Sequence, residues 1–332
     1  RIYKPDLEER AVYYNIFSSQ IPGNLTPFFW DDSRWQKEVD KLAASQFTHI
    51  YFYLWSNEVY FPKSSENFIE NNRQLHEHLK NMIDYAHKRG LKVVYGFTPN
   101  MIPNDIFNAN KVLLQTEGPY SAFPTINPMV TQAFSYNGQT WNGAMDLMRD
   151  IYSNQLEWFK NADGFWIWSY DPGGCFSDYC KQHQTEILMN QIKNFTQIID
   201  TKNSSSKIYI STWPIWYLEG LYGLNYRSQF LDSLHSYFSS NINRVTITDS
   251  IEIPDSTLAL AKQKGFKTNG FIYTLNIENE YPFFSPFMQN FGSAISYGNQ
   301  MSVNGMHLHT VEAGSKFPTY FFGSRYLFNK SS

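Results

Sequence analysis

A chain of 332 residues with 42% apolar side chains can bury a large core, and 30 acids against 27 lysines and arginines leave no basic excess to draw nucleic acid. No apolar run approaches the ~18 residues of a membrane-spanning helix, so none is expected. Aromatic residues reach 18% of the chain. Tyrosine and tryptophan in such numbers need partners for their polar atoms, so most should fill a core and some should line a groove, where flat sugar faces stack on rings.

In chain order, Ala11 to Phe17 reads as a first strand. Ser18 to Asp32 is a loop, and Ser33 caps a helix from Arg34 to Ala44 with Trp35, Val39, Leu42 and Ala43 on one face. Thr48 to Trp55 is a second strand. A helix from Asn72 to Arg89 carries Leu75, Leu79, Met82, Ile83 and Ala86 on its apolar face, leaves His76 and His78 to solvent, and closes at Gly90. Leu91 to Phe97 is a third strand. The long connection after it, with Pro103, Pro119, Pro124 and Pro128, is expected to roof one side of a site.

A helix from Asn142 to Ala162 leads into a fourth strand, Phe165 to Tyr170, which stops at Asp171-Pro-Gly-Gly. Ser177 to Thr201 is a helix, Lys207 to Trp213 a fifth strand, and Gln229 to Phe238 a helix. A sixth strand, Arg244 to Thr248, ends at Asp249. A helix capped by Asp255 or Ser256 runs to Lys264 and Gly265. Asn269 to Leu275 is a seventh strand, Phe287 to Tyr297 a helix, Val303 to Thr310 an eighth strand, and Pro318 to Phe328 a last helix. Eight strands alternating with eight helices, with no break in composition, predict an α/β fold: a single (β/α)8 TIM barrel domain spanning 1–332, with a long insertion after strand 3. An open doubly wound sheet is the runner-up, but no Gly-rich phosphate loop follows an early strand.

In such a barrel the polar strand ends converge on one mouth. Asp171 is the first catalytic candidate, as acid or nucleophile; alternatively it only caps the next helix. Asp249, at the parity of Val245 and Ile247, and Glu278 are candidate partners, with Glu280 and Glu312 behind them. A protonated and an ionised carboxyl together suit cleavage of a glycosidic bond. Trp55, Trp213, Trp216 and Tyr273 are candidate stacking platforms, and Asn57, Asn100, Tyr170 and Asn276 candidate partners for sugar hydroxyls. His307 and His309 share one strand face and should point to the mouth, for hydroxyl binding or proton transfer. They also fit two ligands of a metal site, although no third is evident, so no metal and no cofactor is expected.

Cys175 and Cys180 are too few for a zinc site; they form either a local disulfide pinning the Asp171 loop or two free thiols. Asn24, Asn194, Asn203 and Asn329 match the glycosylation pattern, and the chain begins at Arg1 without a leader. A secreted or otherwise extracytoplasmic protein is expected.

The alternation, the aromatic strand ends and the run Trp168-Ser-Tyr-Asp171-Pro-Gly-Gly-Cys175 resemble a glycoside-hydrolase-type (β/α)8 barrel in which an acid closes strand four. The large retaining clan has Asn-Glu at that point, where this chain has Tyr170-Asp171. The hexosaminidase-like enzymes have two adjacent acids, where this chain has Pro172 after Asp171. The resemblance implies a glycosidase acting on a carbohydrate. The alternative is a catalytically inactive carbohydrate-binding or host-interaction protein on the same scaffold.

Overall fold

The computed structural model describes residues 7–16, 27–55, 58–65, 69–114, 126–168, 177–212, 215, 219–220, 225–250, 257–272 and 302–310. Its strands are β1 (Glu9–Ile16), β2 (His49–Leu54), β3 (Lys92–Phe97), β4 (Phe134–Tyr136), β5 (Gln139–Trp141), β6 (Gly164–Ile167), β7 (Lys207–Ser211), β8 (Val245–Ser250), β9 (Lys267–Ile272) and β10 (Gly305–Thr310). All but β4 and β5 close into one barrel of parallel strands, in which β1 pairs with both β2 and β10. The fold is therefore the expected (β/α)8 barrel. Of the expected helices, 287–297 and 318–328 lie outside the described residues.

Local chemistry explains most element ends. The first helix, α1 (Asp32–Ala44), is capped by Asp31, which accepts the Arg34 N–H at 2.8 Å, and not by Ser33 as expected. It buries Trp35, Val39 and Leu42. The next, α2 (Ile69–Lys88), buries Leu75, Leu79, Met82, Ile83 and Ala86, and ends where Gly90 takes φ +78°.

His76 of α2 departs from expectation, because it is fully buried. Its Nδ1 lies 2.7 Å from the Asn72 carbonyl oxygen and its Nε2 2.7 Å from Gln155 Oε1, and the one N–H of the neutral ring serves one of the two. Gln155 in turn donates to the Tyr60 carbonyl at 2.6 Å. His78 lies at the surface, beside Asp32 at 2.6 Å.

The insertion after β3 contains α3 (Asn104–Ala109), α4 (Lys111–Leu114) and the β4–β5 hairpin, and leads into α5 (Ala144–Trp158). Two carboxylates tie it to the segment after β2. Asp105 accepts Ser64 Oγ at 2.9 Å, the Ser65 N–H at 2.6 Å and the Tyr136 hydroxyl at 2.8 Å. Asp150 accepts Lys63 Nζ at 2.5 Å and Trp141 Nε1 at 2.9 Å. Gly143, at φ +113°, lies where a Cβ would meet the Val130 carbonyl oxygen at 2.5 Å, so only glycine fits there.

The remaining helices are α6 (Asp178–Asn203), capped by Ser177, then α7 (Tyr226–Tyr237) and α8 (Thr257–Gln263). Alternation along each strand sorts the core into two layers. Val12, Ile50, Val93, Phe165, Ile208 and Ile247 pack in the outer layer with helix residues. Inside, Ala11, Tyr13, Tyr51, Tyr53, Val94, Trp166 and Tyr209 pack together.

At the N-terminal end of this interior, Glu9 accepts the Tyr51 and Tyr209 hydroxyls at 3.1 Å each and Asn269 Nδ2 at 2.7 Å. One carboxylate thus joins β1, β2, β7 and β9. His307 stacks on Tyr51 with ring centroids 4.6 Å apart, and Trp166 and Phe271 meet it edge-on.

Removing the Glu9 acceptor takes the shared partner from the Tyr51 and Tyr209 hydroxyls and leaves Asn269 Nδ2 with its longer contact to the Tyr51 hydroxyl at 3.4 Å. Glu9→Ala should therefore cost on the order of 3 kcal/mol in a urea titration. Burial also holds the imidazoles of His307 and His76 well below 6.5, at about 3 and about 4. Both rings fold in their neutral form, so their contribution is complete above about pH 6.5 and is lost as pH falls toward those values. Chemical denaturation across pH 7 to 4 should show this loss, and His307→Phe, which removes the larger of the two shifts, should reduce it.

Candidate active site at the barrel mouth

The C-terminal strand ends carry two half-buried indoles. Trp55, just past β2, shares the inward parity of Tyr51 and Tyr53. Its Nε1–H donates to Asn15 Oδ1 at 2.5 Å, which fixes the ring at the rim of β1. Trp168, just past β6, shares the inward parity of Gly164 and Trp166. Its N–H donates to the Phe97 carbonyl at 3.0 Å. Its ring lies 4.7 Å from Trp166, 5.4 Å from Phe271 and 6.2 Å from Tyr13. These side chains make an aromatic floor whose two indoles remain partly open.

Beside it, the end of β3 is braced. The Tyr53 hydroxyl bonds Thr98 Oγ1, and the Tyr152 hydroxyl donates to the Thr98 carbonyl. Asn100 follows, 1% exposed, with neither Nδ2 nor Oδ1 engaged among the described residues. Burying an amide without partners costs a few kcal/mol, so Asn100 is a candidate for contact with a hydroxyl that both donates and accepts.

Two expected site residues are placed elsewhere. His307 does not reach the mouth: it is fully buried in the barrel interior, and among the described residues neither ring nitrogen has a hydrogen-bond partner. It belongs to the aromatic packing, because Tyr51, Trp166 and Phe271 surround it. Asp249 lies on the helix-facing side of β8 with Ile247. It accepts Thr212 Oγ1 at 2.6 Å and the Ser250 N–H at 2.8 Å, and is 2% exposed. Thr212 likewise shares the outward parity of Ile208 and Ile210. In this arrangement Asp249 braces the ends of β7 and β8.

Asp171, Glu278, Asn57, Tyr170, Trp213, Trp216, Tyr273, Asn276 and Cys175, together with Glu280 and Glu312, lie outside the described residues, as does the His309 side chain. Cys180 is buried and disulfide-bonded. Among the described residues, no three His, Cys, Asp or Glu side chains are grouped to hold a metal, and no helix is long and apolar enough to cross a membrane.

No protein-family profile matches the sequence, and no curated protein is significantly similar to it. Solved structures do match. An enzyme of glycoside hydrolase family 138 that targets pectin rhamnogalacturonan II aligns over 98% of this chain at TM-score 0.63 and 10% identity. The β-amylase catalytic domain of Paenibacillus polymyxa aligns over 100% at 0.59 and 12%. A family 89 glycoside hydrolase of Clostridium perfringens aligns over 98% at 0.60 and 12%. The chain has the fold of glycoside-hydrolase (β/α)8 barrels. It spans 39% of the first of these proteins, 100% of the second and 38% of the third.

Two glycosylation matches sit in poor acceptor positions. The Asn194 side chain, inside α6, donates to the Asn190 carbonyl at 2.7 Å and accepts from Arg149. Asn203 Nδ2 donates to the Lys160 and Ala162 carbonyls at 2.9 and 3.1 Å. Asn24 and Asn329 lie outside the described residues.

Two residues of the interior were not singled out in the sequence. Glu9 and Trp168 were both available from parity, since each continues the inward alternation of its strand. The bracing geometry at Asp249 has its own consequence. Asp249→Ala removes the shorter acceptor of the Thr212 hydroxyl, which keeps the Thr248 carbonyl at 3.4 Å, and the carboxylate on the Ser250 N–H, and should lower the unfolding free energy by about 1–3 kcal/mol. Asp249→Asn keeps an acceptor oxygen and should lose less in the same denaturant titration.

Proposed function

We propose that the chain is a glycoside hydrolase whose acid–base chemistry takes place at the C-terminal mouth of the barrel, with Asp171 as its principal carboxylate. The observation that carries this reading is the position of Trp168. It ends the fourth barrel strand as a half-buried indole on the aromatic floor, three residues before Asp171. A sugar lying on Trp168 or Trp55 would be close to the turn that bears the acid. Asn100, buried with an unsatisfied amide at the neighbouring strand end, suits a sugar hydroxyl that both donates and accepts. The carbohydrate-active enzymes that share the fold support the same substrate class.

In this mechanism one protonated carboxyl gives its proton to the leaving oxygen, and one ionised carboxylate attacks the anomeric carbon or activates water. Asp171 supplies one of these groups and Glu278, after the seventh strand, is the candidate for the other. Asp249, held by Thr212, is assigned to positioning. Tyr170, Trp213, Trp216, Tyr273, Asn57, Asn276 and His309 complete the proposed sugar-binding set. A single catalytic domain and an extracytoplasmic location belong to the same reading. The buried disulfide at Cys180 favours an oxidising compartment, and we assign Cys175 as its partner.

One observation favours the alternative of a barrel that binds glycan without cleaving it. Among the described residues, the inward strand-end positions are Asn15, Trp55, Thr98, Trp168, Ser211 and Ser250, and none is an acid. Hydrolysis of a panel of aryl glycosides and glycan oligomers separates the two. The enzyme reading expects turnover by the wild type and a loss of about 10³-fold or more in folded Asp171→Asn. Glycan binding without turnover would leave the binding protein as the function.

A further inference from the structure

A groove of about 780 Å³ runs on the outside of the barrel between α6 and α7. It is lined along α6 from Gln182 to Lys193 and along α7 from Gln229 to Tyr237, a length of about 16 Å at 1.5 Å per helical residue. We propose that this groove is a second, non-catalytic binding site for a neutral oligosaccharide chain. The proposal rests on the carbohydrate reading of the mouth and adds a separate surface to it.

The lining selects the ligand class. Gln182, Asn190 and Gln229 line the groove as exposed residues, and among the described residues nothing hydrogen-bonds their side-chain amides. Ser236 and Thr185 add hydroxyls. Planar amides and hydroxyls that both donate and accept match the alternating donors and acceptors of a sugar face. Met189 and Tyr237 are the principal apolar lining residues, too little surface for an amphipathic peptide helix. Glu186 and Asp232 share the lining with Lys193, and Asp232 is also paired to Lys264 outside it, so the groove favours neither a polyanion nor a polycation. Each end carries an exposed aromatic ring. Tyr237 is 37% exposed, with Lys193 Nζ 5.6 Å from its centroid. At the other end Tyr179, 52% exposed, stacks on His183 at 4.0 Å with the rings 13° apart.

The fold also sets where the groove begins. Both helices follow barrel strands and run back from the mouth, so their N-terminal turns lie at its rim. The first turn of α6 starts seven residues after Asp171. It is set off from the rest of the helix by a kink at His183 (φ −118°, ψ 18°), whose Nδ1–H donates to the Tyr179 carbonyl at 2.7 Å. The Tyr179–His183 stack therefore stands between the rim and the groove. A chain occupying the mouth could continue over that stack and down between the helices.

The test is retardation of the full chain in native gels cast with amylose, arabinoxylan, galactomannan or glycol chitin, run beside aryl-glycoside hydrolysis. The expected result is that at least one polysaccharide retards the wild type and Asp171→Asn alike. Asn190→Ala/Gln229→Ala and Tyr237→Ala should weaken that retardation at least fivefold, with unchanged melting curves and unchanged aryl-glycoside rates. Wild-type retardation in both groove variants, or no retardation of the wild type in any gel, would overturn the proposal. Groove-dependent retardation by a protein that cleaves no glycoside would instead remove the enzyme reading and leave the groove in place.

Discussion

The Glu9 carboxylate gathers the Tyr51 and Tyr209 hydroxyls and the Asn269 amide, so four barrel strands converge on one charge at the closed end of the interior. A closed barrel of parallel strands leaves an inside that must be filled at crystal-like density. Here the filling is aromatic: Tyr51, Tyr209, His307 and Trp166, then Tyr13, Tyr53, Phe271 and Trp168. Phenol rings can fill that space only if their hydroxyls are paired. Glu9 does this for two of them and Thr98 for Tyr53. Edge-to-face pairs of this kind contribute about 0.5–1.5 kcal/mol each beyond the area they bury. The same column ends at the mouth in partly open indoles, so the packing that closes the barrel also builds the surface on which a sugar can rest.

The alternation of strands and helices was legible in the sequence because each barrel strand is a short apolar run bounded by turn residues. Gly90 and Gly265, both with positive φ, marked helix ends for the reason expected, since a residue with a Cβ is strained there. The α1 cap was displaced because Asp31, two residues before Ser33, reaches the Arg34 N–H. His76 was misread as solvated because helical periodicity gives a face and not its polarity. The ring sits on the buried side between the Asn72 carbonyl and the Gln155 side chain, and the second of these lies 79 residues away. The α3, α4 and β4–β5 elements had no strong period to announce them, because their positions come from long-range anchors at Asp105 and Asp150.

At the site, parity was the decisive quantity. Asp249 was read correctly as sharing the parity of Val245 and Ile247, yet those residues face the helices, which takes the carboxylate out of the lumen and into a bond with Thr212. His307 was read correctly as inward, but an inward residue two positions into β10 lies deep in the column and not at the rim. Depth along a strand depends on the stagger between neighbours, which is set by pairing across the sheet and is absent from a local pattern. Trp55 and Trp168, at the ends of inward series, are the side chains for which both parity and depth lead to the mouth.

The most direct measurement is a crystal structure of Asp171→Asn soaked with an oligosaccharide that the protein binds or cleaves. A sugar ring stacked on Trp168 or Trp55, with the residue-171 side chain beside a glycosidic oxygen and the Asn100 amide on a hydroxyl, is the predicted result. A saccharide bound only away from the mouth, or a mouth in which residue 171 points away from the bound ring, would contradict the assignment of this end of the barrel as the active site.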